Sequence, residues 1–123
     1  MNPSRPADRG SGTVLTACII LGTVAATFIA LWSVGWLNSF HRAGRIADLA
    51  AVAGAQAVAA GDEGCAAAGA TARRNGGEVT VCRMRGEAPS FVLLVEVSTP
   101  LRPVFDLPGA PLSAIGVAAA GPA

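Results

Sequence analysis

The sequence predicts an α+β fold with a long N-terminal helix, a short second helix and a small antiparallel β-sheet. No charged residue occurs between Ser11 and Phe40, and the stretch 38–60 is rich in alanine and free of proline, so helix is favoured across both. Alternating apolar residues, the pattern of strands, begin only after residue 77. Because the helical and strand patterns are separated along the chain, an α+β arrangement is favoured over repeated strand–helix units.

The uncharged stretch is long enough to cross a membrane. Its apolar part, Thr13 to Leu37, has 25 residues, and as a helix it would rise roughly 37 Å against a hydrocarbon core of about 30 Å. A secretory signal has a shorter apolar segment and is cleaved after it, whereas here the small residue Gly10 stands before the segment. We therefore expect a leader at 1–10, a transmembrane helix at 11–37 and a small domain at 38–123.

Two side-chain patterns recur every four residues along the span. One is a ridge of small side chains, which would let another helix approach closely within a membrane. The other is aromatic and lies about 200° around the helix. The alternatives are a chance pattern in a chain rich in glycine and alanine, and a simple aromatic belt at the membrane boundary. The small-residue ridge is Cys18, Gly22, Ala26 and Ala30, and the aromatic row is Phe28, Trp32, Trp36 and Phe40.

The helix is expected to continue beyond the membrane and to end at Gly61. Asp62 is then the predicted N-cap of a second helix, 63–74, which stops at the turn-forming run 75–77. The predicted buried face of the first helix is apolar and nearly smooth, which suits close packing on a neighbouring helix or a thin sheet. It consists of Ile46, Leu49, Ala50, Ala53 and Ala57.

Three strands are predicted, at 78–85, 91–97 and about 112–119. The second should place its odd-numbered residues, Phe91, Leu93, Val95 and Val97, on one face. Between the second and third strands lies an unusually apolar loop, 101–107, which is either a partner contact or part of the core. In the first strand, simple alternation puts Val79 and Val81 on one side and Thr80, Cys82 and Met84 on the other.

The cysteines indicate a compartment. Cys18 lies inside the span, whereas Cys65 falls in the predicted second helix and Cys82 in the first predicted strand. A bridge between the latter two would close a loop and contribute about 3 kcal/mol to a domain too small for a large core. It would also place the domain outside the cytoplasm and the N-terminus inside. Two ordinary buried thiols are the alternative.

Composition argues against several classes of function. The nine basic residues are all arginine, eight residues are acidic and neither sign forms a block, so nucleic-acid binding is disfavoured. His41 is the only histidine, which leaves a histidine-based metal site or a Ser/His/Asp arrangement without support. Asp62 and Glu63 are adjacent at a helix start, where acidic residues complement the helix dipole. We expect no enzymatic activity, no metal and no cofactor.

Several segments together carry a resemblance to a known family. The leader ends Asp8-Arg9-Gly10, the span starts Ser11-Gly12-Thr13-Val14-Leu15, and the run Arg42-Ala43-Gly44-Arg45-Ile46-Ala47-Asp48-Leu49-Ala50-Ala51 follows it. With these segments and the cysteine spacing, the chain resembles the TadE- and TadG-like pilins of the Flp (tight adherence) pilus and secretion systems, in particular their short actinobacterial branch. The resemblance implies a pilin-like fold in a single-pass protein of the cytoplasmic membrane.

The resemblance also implies processing and partners. In that family a prepilin peptidase cuts after the glycine that matches Gly10, which would make Ser11 the first residue, and the span becomes both anchor and assembly helix. The implied partners are the bilayer, the peptidase, and other pilin-like subunits or assembly-platform proteins. Leu15 departs from type IV pilins, which usually carry a glutamate there that pairs with a neighbouring amino terminus. The departure implies a minor or accessory pseudopilin.

Two alternatives stay open. A generic single-span protein that displays a small disulfide-bonded binding domain would need neither cleavage nor an engaged ridge. Leu15-Thr16-Ala17-Cys18 also matches a lipobox, which would make Cys18 the lipidated first residue of a lipoprotein. A lipoprotein signal has its apolar stretch before the cysteine, however, and here most of that stretch follows it.

Overall fold

Two helices and then three strands follow one another in the computed structural model, which describes residues 6–102 and 108–122. Helix α1 is Pro6–Ala59 and helix α2 is Gly64–Arg74. Strands β1, β2 and β3 are Glu78–Glu87, Ser90–Pro100 and Ser113–Ala120. The predicted α+β fold class is confirmed. The chain divides into two units, Met1–Val34 and Gly35–Ala123, and the division falls within α1.

Both helices end in the same hydrogen-bonded turn. The N–H of Gly61 donates to the carbonyl three residues back and the N–H of Asp62 to the carbonyl five residues back, at 3.0 and 2.8 Å. Gly76 and Gly77 repeat this pattern after α2, at 3.2 and 2.9 Å. Gly61 and Gly76 have φ of 87° and 83°, the left-handed region that glycine enters without steric cost. The predicted helix ends are therefore confirmed.

The start of α2 differs from the prediction. The helix begins at Gly64 and its N-cap is Glu63, which has an extended backbone (φ −75°, ψ 108°) and makes no side-chain capping hydrogen bond. The prediction that Asp62 caps a helix starting at Glu63 is wrong. The Glu63 carbonyl accepts the first hydrogen bond of α2, from the N–H of Ala67 at 3.2 Å, whereas Asp62 belongs to the turn that ends α1.

The three strands form one antiparallel sheet in the order β1-β2-β3. The central strand β2 alternates as predicted, and its odd-numbered residues face the core. These inward residues are Phe91, Leu93, Val95, Val97 and Thr99, all buried. On β3 the residues paired with them are small, with Gly116 opposite Val97 and Ala118 opposite Val95. The inner surface of the sheet is therefore bulky along its middle and shallow along β3.

Strand β1 does not alternate as predicted, because it contains a β-bulge between Val79 and Val81. Val79 and Cys82 both pack against the core, although they are three residues apart. Val81 instead pairs with Glu96 on the outer face, and the Thr80 hydroxyl donates to a Glu96 carboxylate oxygen at 3.1 Å. The expected grouping of Thr80 with Cys82 is wrong, since the extra residue reverses the alternation within the strand.

The second half of α1 packs on the inner face of the sheet through small side chains. Its buried apolar residues are Ala43, Ile46, Ala47, Ala50, Ala51 and Ala55. The prediction placed Leu49 on this face, but Leu49 is 53% exposed. The contact surface is rotated from the predicted one because the side of the helix that contains Ala43 lies against β3, with its backbone close to Gly116.

The core of the second unit, Gly35–Ala123, lies between the sheet, α2 and the second half of α1. Leu93, Val95 and Val97 of β2 meet alanines of α1, together with Ala68 and Ala72 of α2. A smaller cluster joins Leu101 to α1 and β3. The sequence analysis left open whether the apolar loop 101–107 is a partner contact or part of the core. Leu101 belongs to the core, whereas residues 103–107 lie outside the described part of the chain.

Candidate functional site

The first half of α1 presents apolar side chains to its surroundings. Residues 10–34 are exposed apart from the half-buried Trp32. By length and composition the helix can cross a membrane, and none of its apolar window is buried. Water is an unfavourable solvent for such a surface, at about 25 cal/mol for each Å² of apolar area. These features fit a single-pass membrane protein.

Four hydroxyl groups in this span are satisfied by the helix itself. The hydroxyls of Thr16, Thr27 and Ser33 each donate to the carbonyl four residues earlier at 2.8 Å. The hydroxyl of Thr23 donates to the carbonyl of Ile20 at 2.9 Å. A polar group without a partner costs several kcal/mol in hydrocarbon. The four side chains can therefore lie in lipid without water and without a second chain.

The small-residue ridge lies on one face of this helix. All four of its members are exposed, and Cys18 is a free thiol. A Cβ added at Gly22 would have no atom within 4 Å, so the ridge is open for a neighbouring helix to approach. Its role as a packing surface stays a prediction.

The predicted processing site also lies on α1. Gly10 and Ser11 are helical and exposed, in the second turn after the helix begins at Pro6. Arg5 and the rest of 1–5 lie outside the described residues, as do the side chains of 6–9. Cleavage after Gly10 stays a prediction.

The aromatic row follows the helix to the end of the apolar stretch. The rings of Phe28 and Trp32 have centroids 5.8 Å apart. Trp32 and Trp36 are half-buried, whereas Phe40 and the adjacent His41 are exposed. Aromatic and polar residues of this kind are typical of the boundary between a membrane and water.

Cys65 of α2 and Cys82 of β1 form a disulfide, as the sequence predicted. The bridge joins the short helix to the sheet across the core, and the bulge before Cys82 turns its side chain inward. Disulfides persist in oxidising compartments, so the bridge suggests that this unit lies outside the cytoplasm.

Acidic and metal-ligating residues are dispersed in the parts of the chain that the structure describes. Within 6–102 and 108–122 no three His, Cys, Asp or Glu side chains are grouped so as to hold a metal ion. Asp62 and Glu63 are exposed beside the start of α2. The expected lack of enzymatic activity and of a cofactor stays a prediction.

An apolar surface that the sequence analysis did not single out covers the outer face of the sheet. Its large side chains are Val92, Leu94, Ile115 and Val117, which are 36–58% exposed. Arg85 and Arg83 pair with Val92 and Leu94 across β1 and β2, so one border of this outer sheet face is cationic. The alternation of β2 predicts that Val92 and Leu94 lie on this surface. The sequence of β3 does not alternate regularly, so it does not predict the positions of Ile115 and Val117.

A second feature that the sequence analysis missed is an open pocket of about 460 Å³, here called the arginine pocket. It is lined by Gly35, Asn38, Ser39 and Arg42 of α1 and by Pro100 and Arg102 at the end of β2. The buried Ser39 holds it together, because its hydroxyl accepts the N–H of Arg102 at 3.2 Å and lies 3.1 Å from the Arg102 carbonyl oxygen. No local sequence signal brings residues 63 positions apart together in this way.

The Arg42 side chain also reaches the second helix. Its Nη2 donates to the backbone carbonyl of Asn75, the C-cap of α2, at 3.3 Å. A cation at this position complements the negative end of the helix dipole. Arg42 therefore links the arginine pocket to the end of α2.

No protein-family model, curated protein or solved structure matches the chain. The likeness to Flp-type pilins accordingly rests on the sequence motifs alone. The features that bear on function are the two halves of α1 and the surfaces of the folded domain.

Proposed function

We propose that the protein is a minor or accessory pilin-like subunit, a pseudopilin, of a Tad/Flp-type pilus or secretion apparatus. The observation that carries the proposal is the contrast between the two halves of one continuous helix of 54 residues. Residues 10–34 are apolar and exposed, whereas the second half of α1 forms a core with the sheet. Such a helix can anchor a small domain and still offer a membrane-embedded face to other subunits.

The proposed topology puts the N-terminus in the cytoplasm and the domain from residue 38 onward outside it. The Cys65–Cys82 bridge supports this orientation, since cytoplasmic thiols are kept reduced. The partners of the span are then lipid and the transmembrane helices of other pilin-like subunits or platform proteins. The small-residue ridge is the surface through which we expect those helices to pack.

Leu15 is the reason for proposing an accessory role. Its side chain is 64% exposed on the helix and carries no charge. It cannot pair with the amino terminus of a neighbouring subunit inside the membrane, as a carboxylate at that position would. The subunit therefore lacks one of the contacts by which a major pilin is thought to set its register.

The mass of the intact protein, extracted from the membranes of its native host, tests the proposal. We expect a chain that begins at Ser11 and becomes heavier by two hydrogens on reduction. Gly10→Val should leave the chain uncut, because it replaces the glycine after which the resemblance implies cleavage. Gly12→Ala is the matched control and should be processed normally, since no atom lies within 4 Å of a Cβ at Gly12. An uncut wild-type chain would remove the pilin-like role.

A second candidate function is favoured by the outer sheet face. A single-span protein that displays a binding domain would use this apolar surface with its cationic border, and it would need no processing at Gly10. The mass measurement separates the two, because only the pilin-like protein is cut. A lipid-modified chain that begins at Cys18 would contradict both.

A further inference from the structure

We propose that the arginine pocket binds the headgroup phosphate of an anionic membrane lipid. The proposal goes beyond a role in a pilus or secretion apparatus, and it rests only on the membrane anchoring that forms part of the proposed function. It follows from three properties of the pocket: its position along α1, its charge, and the way its two arginines are held.

The position of the pocket matches the depth of lipid headgroups. The apolar stretch of α1 ends at Leu37, and Arg42 is five residues further along the same helix. At 1.5 Å per residue, Arg42 lies about 7.5 Å beyond the end of the apolar stretch. The headgroup layer on each side of a bilayer is about 5–7.5 Å thick. A span that places Leu37 at the edge of the hydrocarbon therefore places the Arg42 guanidinium among the lipid phosphates.

The lining of the pocket suits a phosphate. The four α1 residues, Gly35, Asn38, Ser39 and Arg42, have the spacing of one helix face. Gly35 lines the end of the pocket nearest the apolar stretch and contributes no side chain there. Arg102 brings a second positive charge from a different element, and the described lining residues include no carboxylate. Arginine is the side chain best matched to phosphate, because its planar N–H groups can bind two oxygens at once.

The side chain of Arg42 and the backbone of Arg102 are positioned before any ligand arrives. Arg42 donates one N–H to the Asn75 carbonyl, and this bond orients the guanidinium. A guanidinium has five N–H donors, so others remain for a phosphate. The N–H of Arg102 donates to the Ser39 hydroxyl at 3.2 Å, and the oxygen of that hydroxyl lies 3.1 Å from the carbonyl oxygens of Arg102 and Gly35. Preorganised donors lose less conformational entropy on binding, which favours a specific site over loose attraction to a charged surface.

Lipid retention by the full-length protein, measured by native mass spectrometry from detergent micelles, tests the proposal. The probes are phosphatidylglycerol, which is anionic, and phosphatidylcholine, which is zwitterionic. We expect the wild-type chain to retain phosphatidylglycerol in preference. The double variant Arg42→Gln with Arg102→Gln should weaken that retention about tenfold or more, because two charge-assisted contacts are lost.

The matched control is Arg83→Gln with Arg85→Gln, which removes the same charge from β1 and should retain phosphatidylglycerol like the wild type. The single variant Arg102→Gln distinguishes loss of lipid binding from misfolding, because the backbone of Arg102, and not its guanidinium, bonds to Ser39. This single variant should lower retention while the thermal unfolding midpoint stays unchanged. Equal losses in the pocket and control variants would overturn the proposal, because they would indicate general charge attraction.

Inorganic phosphate added as a competitor separates a lipid site from a site for a free anion. Retention of phosphatidylglycerol should persist, and its displacement by inorganic phosphate would contradict the lipid assignment. Failure of this inference is also distinct from failure of the proposed function. A protein that is cut at Gly10 and remains in membranes but shows no preference among lipids overturns only the lipid site.

Discussion

Gly116 is a residue at which the backbone of α1 comes very close to β3. A Cβ placed there would collide with the carbonyl carbon and oxygen of Ala43 and with the backbone nitrogen of Gly44. These are main-chain atoms of α1, so no side-chain rotation can relieve the contact. The interruption of β3 by glycine is therefore what allows the helix to lie on the strand.

Gly116→Ala should destabilise the domain by about 1–3 kcal/mol, as overpacking of a close contact does. The measurement is denaturant unfolding of the full-length protein in detergent, followed by circular dichroism. Gly44→Ala is the control, because a Cβ at Gly44 would have no atom within 4 Å and alanine is the better helix former. A Gly116→Ala midpoint equal to that of Gly44→Ala would contradict the close approach of α1 to β3.

At the scale of elements, α2 depends on the rest of the domain. It has only 11 residues and no side-chain cap at its start, and isolated helices of this length are marginal in water. Two features hold it: the packing of Ala68 and Ala72 in the core, and the disulfide to β1. The disulfide constrains the unfolded chain as well as the folded one.

Cys65→Ala with Cys82→Ala should lower the free energy of unfolding by about 3 kcal/mol, the loop-closure value for a bridge of this size. Denaturant unfolding of the oxidised wild type and the double variant measures the difference. Cys18→Ala is the matched control, because Cys18 is free and exposed in the span and its removal should leave the domain unchanged. Equal midpoints for all three proteins would show that the bridge contributes no stability.

At the scale of the whole molecule, one helix serves two different surroundings. In the first unit the apolar residues of α1 are exposed and the hydroxyls bond to their own helix. In the second unit the helix buries alanines against a sheet. In the proposed role other membrane helices pack on the first arrangement, so assembly should depend on side chains that contribute nothing to the domain.

Gly22→Leu with Ala26→Leu should abolish recovery of partner subunits with the protein, because two larger side chains on the small-residue ridge keep another helix at a distance. Affinity purification from native membranes after crosslinking measures it. Val24→Leu with Phe28→Leu is the control, since these residues are equally spaced on the opposite side and also exposed. Unchanged recovery in the ridge variant would favour the display protein over the assembly subunit.

The elements of the fold could be predicted wherever the signal was local. Gly61 and Gly76 mark the helix ends because a left-handed residue is needed there, and the alternation of β2 follows from its buried face. The pairing of Cys65 with Cys82 followed from the small number of cysteines in the domain. The prediction failed at Asp62, which lies in the turn that ends α1, one residue before the cap of α2.

The amino-acid sequence alone is enough to predict the order of the helices and strands, the apolar stretch that can span a membrane, and a candidate pair of cysteines. Four features become visible only in the folded chain: the formation of the disulfide, the buried face of α1, the bulge in β1, and the pocket that Arg42 and Arg102 line with Ser39. This is because periodicity and turn residues act over only a few positions. Burial, a bulge or a pocket instead depends on which distant backbone comes close enough to touch.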